Sequence, residues 1–256
     1  IYAKTESRLS VRDVFTNQTP EQLAMLLDSA EGYVPIPNAK EREYYPMSSQ
    51  QKRMYLTCKM DSHSISYNIL QKLYFYGEII AKRLQQAFQE MVDRYEILRT
   101  EFLMVNGEPV QRIIPHIEAD FTSIEDYENS DEALAAAFNQ PFDLGRAPLI
   151  RAKLVKRKSY YMLMLNMHHI ISDAVSENLF FSELSALYNG EKLGRPIHQY
   201  KDYSEWMLTR DMSEQKKYWC SQFNDELPVL DMPLDFSRPK TQSSQGRFIV
   251  KSIDEE

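Results

Sequence analysis

Asn166-Met167-His168-His169-Ile170-Ile171-Ser172-Asp173-Ala174-Val175-Ser176 sets two adjacent histidines between an apolar run and an amphipathic one. Ahead of them, Tyr160 to Met167 is almost wholly apolar and is bounded by Arg157-Lys158-Ser159, as a strand buried on both faces would be. Behind them, Val175, Leu179, Leu184, Leu187 and Tyr188 fit one face of a helix that stops at Asn189-Gly190. The histidines therefore stand where a central strand ends and a loop turns toward a helix. Sheet ends of α/β folds are where reactive side chains collect.

The chain has 256 residues, 43% apolar and 26% charged, enough for one large domain or two ordinary ones with a sizeable core. A net charge of -7 argues against a nucleic-acid surface, because phosphate binding needs a concentrated cationic field. No apolar stretch approaches membrane-spanning length and no signal core opens the chain. Cys58 and Cys220 read as free thiols in a reducing cytoplasm. With seven glycines, neither a dinucleotide fingerprint nor a P-loop is present.

The front of the chain reads as a separate unit. Ser10 can cap a short Val11 to Phe15 helix, and Thr19-Pro20-Glu21-Gln22 is a capping box that opens a second helix. That helix carries Leu23, Leu26 and Leu27 and ends near Glu31-Gly32. Tyr33 to Lys40, with Pro35 and Pro37, has the composition of an extended linker. From Tyr44 onward strands and helices alternate. Ser49 to Lys59 reads as a helix and Gln71 to Tyr76 as a strand. The apolar positions Ile80, Leu84, Ala87, Phe88, Met91, Tyr95 and Leu98 predict one long amphipathic helix. Thr100 to Met104 and Pro109 to Ile114 flank Asn106-Gly107 as a hairpin. Asp131 to Asn139 is an alanine-rich helix, and Leu149 to Val155 a half-buried strand paired with the histidine strand through Arg157-Lys158. Tyr200 to Phe223 is aromatic and helical, whereas Leu227 to Ser252 shows no clear period.

Taken alone, a His-His pair at a strand end puts one ring on each face, so one is inside and the other outside. A metal site is disfavoured, because His63, His116 and His198 lack the spacing, or the nearby cysteines, of metal ligands.

Four motifs in order carry a resemblance. Pro46-Met47-Ser48-Ser49-Gln50-Gln51-Lys52-Arg53-Met54-Tyr55 resembles the opening Ser-x-Ala-Gln-x-Arg motif of nonribosomal peptide synthetase condensation domains, with Gln50 in the alanine place. Arg94-Tyr95-Glu96-Ile97-Leu98-Arg99-Thr100-Glu101-Phe102 resembles their second motif, with Tyr95 replacing histidine. His168-His169-Ile170-Ile171-Ser172-Asp173-Ala174 resembles the His-His-x-x-x-Asp-Gly signature, with Ala174 in place of glycine. Tyr200-Lys201-Asp202-Tyr203-Ser204-Glu205-Trp206 is similar to the fourth, and Pro141-Phe142-Asp143-Leu144 with Ala147-Pro148-Leu149 is also typical.

The resemblance implies an α/β fold like chloramphenicol acetyltransferase, with mixed sheets, flanking helices and two lobes around a tunnel. On that expectation residues 1–31 are the last two helices of a peptidyl carrier domain and 32–43 a linker. Residues 44–225 are the N-terminal lobe and 226–256 the start of an incomplete C-terminal lobe. The chain is then a fragment of a longer multidomain enzyme, inactive alone, and the serine bearing phosphopantetheine lies upstream of Ile1. Implied partners are upstream and downstream carrier domains, an adenylation domain and aminoacyl or peptidyl thioesters, without nucleic acid, membrane or metal. The implied reaction is peptide bond formation, with an L-configured donor. The alternatives are a non-catalytic condensation-like module kept for carrier docking, and an epimerisation domain.

The same resemblance places the catalytic chemistry on His168 and His169. His169 is the base or amine-positioning residue, and His168 packs structurally at the strand end. An α-amine with a pKa near 8 must lose its proton to attack, and an imidazole with an ordinary pKa near 6.5 can accept or orient that proton. Asp173 is either a catalytic carboxylate or, in the favoured reading, a loop-shaping buried ion pair with Arg99 or Arg94. Arg53 bridges to the loop or is a solvated charge. Ala174 and Ser176 are tunnel-lining candidates, the added methyl of Ala174 narrowing the passage. Tyr200, Tyr203 and Trp206 are read as packing, and Glu125 to Glu132 as a solvated acidic surface.

Overall fold

The computed structural model describes residues 9, 11–29, 36–61, 63–224, 227 and 229–240. Two front helices, α1 (Val11–Thr16) and α2 (Pro20–Ser29), precede the main body. The capping box expected before α2 is formed, with Gln22 N–H donating to Thr19 Oγ1 and Thr19 N–H to Gln22 Oε1. Ser10, Glu31-Gly32 and Tyr33 to Pro35 lie outside the described residues, as do 241–256.

The body holds β1 (Tyr45–Pro46), α3 (Ser49–Met60), β2 (Asn68–Phe75), α4 (Ala81–Arg94), a 3-10 turn (Glu96–Arg99), β3 (Thr100–Val105) and β4 (Glu108–Ile113). There follow β5 (Asp120–Glu125), α5 (Asp131–Phe138), β6 (Ile150–Lys156), β7 (Tyr161–His168), α6 (Ala174–Tyr188), α7 (Tyr200–Thr209) and α8 (Ser213–Gln222). A four-stranded sheet runs β2-β7-β6-β5 and a three-stranded one β1-β4-β3. The larger sheet is mixed: β5 and β6 are parallel, and β7 is antiparallel to both its neighbours. This sheet and its flanking helices match the expected α/β architecture.

β7 is the strand on which the larger sheet is organised. Leu163, Leu165 and Met167 point into the main core with Leu84, Phe88, Met91 and Val92 of α4 and Phe180 and Leu184 of α6. The intervening Met162 and Met164 face α5, against Ala135 and Phe138. Burial on both faces explains the near-continuous apolar run, each such side chain contributing roughly 1.5–3 kcal/mol.

The long helix expected to reach Leu98 stops at Arg94. Tyr95 turns extended, Gln199 Oε1 accepts from Glu96 N–H (3.0 Å), and Gln199 Nε2 donates to the Arg94 carbonyl (3.1 Å). A side chain from α7's N-cap thus takes up both backbone groups at the break. Ile80 is likewise outside, as the exposed N-cap. On α6 the buried stripe is Phe180 and Leu184, while Val175 is 78% and Leu179 49% exposed. Leu184, Leu187 and Tyr188 of the expected face do meet the core, whereas nearer the start of the helix Phe180, edge-on against Phe88 of α4 (6.1 Å, 76°), takes the inward place expected of Leu179. The aromatic segment 200–223 is two helices, broken where Arg210 turns extended and Asp211 Oδ1 accepts from Ser213 N–H (2.9 Å).

The acidic run is not wholly solvated. Asp126 and Asp131 both pair with Arg157, at 3.4 and 3.3 Å, and their side chains are 15% and 14% exposed. Tyr160 also donates to Asp131 Oδ2 (2.9 Å).

The hairpin formed as expected. Asn106 (φ 52°) and Gly107 (φ 82°) both take left-handed backbone, which joins β3 and β4 through a two-residue turn. A Cβ at Gly107 meets nothing within 4 Å, so substitution there is a purely conformational test. Gly107→Ala is expected to cost about 1 kcal/mol in urea unfolding. Gly77→Ala, equally unobstructed but without positive φ, is expected to be neutral or slightly stabilising.

Candidate active site

At the end of β7 the period-two alternation separates the two histidines. His168 is 4% exposed and His169 is exposed on the other face. The backbone around them is tied down. His168 N–H donates to the Leu149 carbonyl (3.0 Å) and His169 N–H to that of Tyr67 (2.8 Å). Ile171 N–H then donates to the His168 carbonyl (3.1 Å), closing a tight turn.

His168 works as an internal cap. Ile170 N–H donates to its Nδ1 (3.1 Å), so Nδ1 is bare, the proton sits on Nε2, and Nε2 faces Cys58 Sγ at 3.5 Å. Phe142 meets the ring edge-on at 6.3 Å, and Tyr67 lies 6.1 Å away. Burial, and then the neighbouring His169, push the His168 ring down to about 4. It is neutral at neutral pH, as accepting the amide requires.

His169 has the opposite tautomer. Its Nδ1 lies 2.6 Å from the Ser172 carbonyl, which can only accept, so Nδ1 carries the proton of the neutral ring. The lone pair is left on Nε2. His169 lines a cleft of about 930 Å³, together with Ser172, Asp173, Ser176, Tyr67 and Arg53. Met54, Tyr95, Ile97 and Leu179 add its apolar wall. Its size fits a small-molecule site.

Among the described residues no arginine pairs with Asp173. The aspartate is the N-cap of α6, with Oδ1 accepting from Ser176 N–H (2.8 Å) and Ser176 Oγ (2.7 Å). These bonds, from the backbone first, hold its carboxyl below the usual carboxylate range. The expected partners are engaged elsewhere. Arg94 Nε donates to Glu183 Oε2 (2.7 Å), where Tyr95 also donates (2.8 Å), and Arg99 Nη1 donates to the Ile114 carbonyl (2.6 Å). Arg94 therefore fastens α4 to α6 and not the loop. Arg53 is exposed on the cleft wall. Of the two lining candidates, Ser176 faces the cleft, while Ala174 is the exposed first residue of α6 and not part of the wall.

The aromatic stripe on α7 does more than pack. Tyr200 and Tyr203 meet at a tilt, 5.5 Å and 53°, and both line the cleft, and Tyr200 Oη lies 2.9 Å from Ser48 Oγ. Ser48 caps α3 in a reciprocal box with Gln51, whose Nε2 in turn reaches the Ile170 carbonyl (3.4 Å). Sequence reading passed over Gln51, Cys58, Tyr67 and Phe142 as contacts of the histidine loop. Gln51 and Phe142 stood inside quoted motifs, a usable signal; Cys58 and Tyr67 carried none.

The family profile described as "Condensation domain" matches residues 41–256. The chain belongs to the condensation-domain family of nonribosomal peptide synthetases. It is 40% identical over 257 residues to surfactin synthase subunit 2 of Bacillus subtilis (strain 168), covering 97% of this chain and 7% of that protein. Tyrocidine synthase 3 of Brevibacillus parabrevis is 40% identical over 247 residues, covering 93% of this chain and 4% of that one. The chain thus spans only a few per cent of these curated relatives' length. Among solved structures, the X-domain in its complex with OxyB from teicoplanin biosynthesis superposes with a TM-score of 0.72 at 23% identity, over 82% of this chain and 50% of that one. The condensation domain of the Monacolin K polyketide synthase gives 0.65 at 21%, over 76% and 45%. These neighbours establish the fold of the condensation domain.

Among the described residues no group of histidines, cysteines and carboxylates is arranged to hold a metal, and no helix is long and apolar enough to cross a membrane. Cys58 and Cys220 are free thiols.

Two measurements test the loop. Because the folded pKa of His168 is depressed, the unfolded chain binds a proton that the folded one refuses between pH 6.5 and about 4. Stability is therefore full above pH 6.5 and falls as pH drops, by about 3 kcal/mol in total. Urea midpoints from pH 7.5 to 4.5 should show this slope, and His168→Gln should flatten it. Asp173→Ala should cost about 0.5–2 kcal/mol, while Asp173→Ser, which retains a capping oxygen, should cost little. An ion-pair role would make both substitutions equally costly.

Proposed function

We propose that this condensation domain catalyses peptide bond formation between a donor aminoacyl or peptidyl thioester and an acceptor aminoacyl thioester. In this reading both substrates arrive on phosphopantetheine arms of carrier domains within a larger synthetase that also holds an adenylation domain. The front helices α1 and α2 are then the end of a peptidyl carrier domain, residues 32–43 its linker, and 226–256 the start of a second lobe. A carrier joined directly to the condensation domain favours an L-configured donor.

The observation that carries the reading is the His169 tautomer. With Nδ1–H held by the Ser172 carbonyl, the Nε2 lone pair belongs to a ring that lines the cleft. In the reaction the acceptor amine attacks the thioester carbonyl, a C–N bond forms, and the C–S bond breaks. The proton lost by the amine passes to His169 Nε2 and from there to the departing thiolate, so the imidazole is regenerated. The thioester is already activated. Holding amine and carbonyl together accordingly supplies most of the acceleration, roughly 7–11 kcal/mol at best. Asp173 takes no proton in this scheme; its carboxylate holds α6 and the turn in place.

The test is dipeptide formation by the full-length parent with loaded carriers. His169→Ala is expected to lower kcat by roughly 100-fold or more while leaving KM near the parental value. A parent that forms no amide bond refutes the reading. A fully active His169→Ala refutes the role of His169 alone.

A further inference from the structure

Pro141-Phe142-Asp143-Leu144 has no part in the chemistry above, yet its phenylalanine touches His168. The Phe142 ring is gripped from both sides. Its face lies under the Arg151 guanidinium, 3.8 Å from carbon to ring centroid, and its edge meets His168 at 6.3 Å and 89°. Arg151 also donates from Nη2 to the carbonyls of Gln140 and Pro141, each at 3.1 Å. Asn68 pins the same segment by donating to Asn139 Oδ1 (2.8 Å) and the Gln140 carbonyl (2.9 Å). Asn166, fully buried, donates to the same Asn139 oxygen (3.1 Å). Asn166 and Arg151 are cross-strand partners on β7 and β6, and Asn68 is the partner of His168 on β2. Three strands thus clamp residues 139–142 against the imidazole.

We propose that Arg151, acting through Phe142, is a positioning residue that holds the His168 ring in place and thereby sets the loop that presents His169. The proposal rests on the condensation reading given above. Phe142 supports the ring whose Nδ1 accepts from Ile170 N–H. Ile170 begins the turn that ends on the Ser172 carbonyl, and that carbonyl fixes the His169 tautomer. Arginine suits the position because a planar, weakly hydrated guanidinium can lie flat on a ring while its edge donates to two carbonyls. An ammonium is a point charge and cannot do both.

The test uses the full-length enzyme with Arg151→Met, Arg151→Lys, Phe142→Leu and Phe142→Tyr. Lys153→Met, which removes a cation two residues along β6 lying over Phe138, is the control. Two readouts are taken: carbethoxylation of His168 by diethyl pyrocarbonate, located by peptide mass spectrometry, and kcat and KM for dipeptide formation. Arg151→Met, Arg151→Lys and Phe142→Leu should raise His168 modification by about tenfold, as burial of the ring loosens, and lower kcat by roughly 10–100-fold with KM within about twofold. Phe142→Tyr and Lys153→Met should match the parent in both. A protected His168 in Arg151→Met and Phe142→Leu, or a raised KM at parental kcat, overturns the proposal. A parent that makes no dipeptide overturns the condensation reading instead, and the labelling arm then decides the clamp alone. If Arg151→Met does not fold, Phe142→Leu carries both readouts.

Discussion

The site depends on one hydrogen bond, from the Ile170 amide to Nδ1 of a buried, neutral His168. It stops the strand from running on and starts the turn that swings His169 to the cleft. Because both faces of β7 are packed, the strand cannot slip by one residue. A slip would drive His169 into a buried position and move Met167 from its contacts with α4 and α6 to the opposite face of the sheet. Fold and chemistry are therefore set by the same register.

What the sequence made legible was encoded locally. The apolar run of β7, the Asn106-Gly107 turn, the Thr19 capping box and the buried stripe of α4 each follow from a few neighbouring residues obeying one geometric rule. The misreadings share another cause. Val175 and Leu179 fit a helical face with Leu184 as well as Phe180 does, and only the position of Phe88 on another helix selects between them. The end of α4 is set by Gln199, more than a hundred residues away, through bonds no window along the chain contains. Asp126 and Asp131 look like a solvated acidic run until Arg157 crosses over them.

Asp173 differs from these, since what speaks against an arginine pair is local. An aspartate at a helix start with a serine three residues on is a capping arrangement, and the α6 amide it accepts from is one the helix leaves unpaired. The cap satisfies an amide at the exposed start of α6 without bringing in a second charge. Once it is formed, Arg94 is available to Glu183, and the α4–α6 pair gains a tie of its own. The family motif fixed the residue type while leaving its bonding open.

The capping role also bears on the proposed reaction. An acceptor amine attacks only when neutral, and a cleft rich in free carboxylates would stabilise the ammonium form. Asp173 is the carboxylate on this wall, and its charge is already opposed by the N-terminal dipole of α6 and two short hydrogen bonds. Arg53, on the same wall, adds a positive charge. Asp173 stays ionised and lies near enough to His169 for the two to feel each other's charge, so it favours the imidazolium that forms when the ring takes the amine's proton. Held by Ser176 at the start of α6, the carboxylate supplies that field while its own proton affinity stays low, so the proton rests on the ring and not on Asp173.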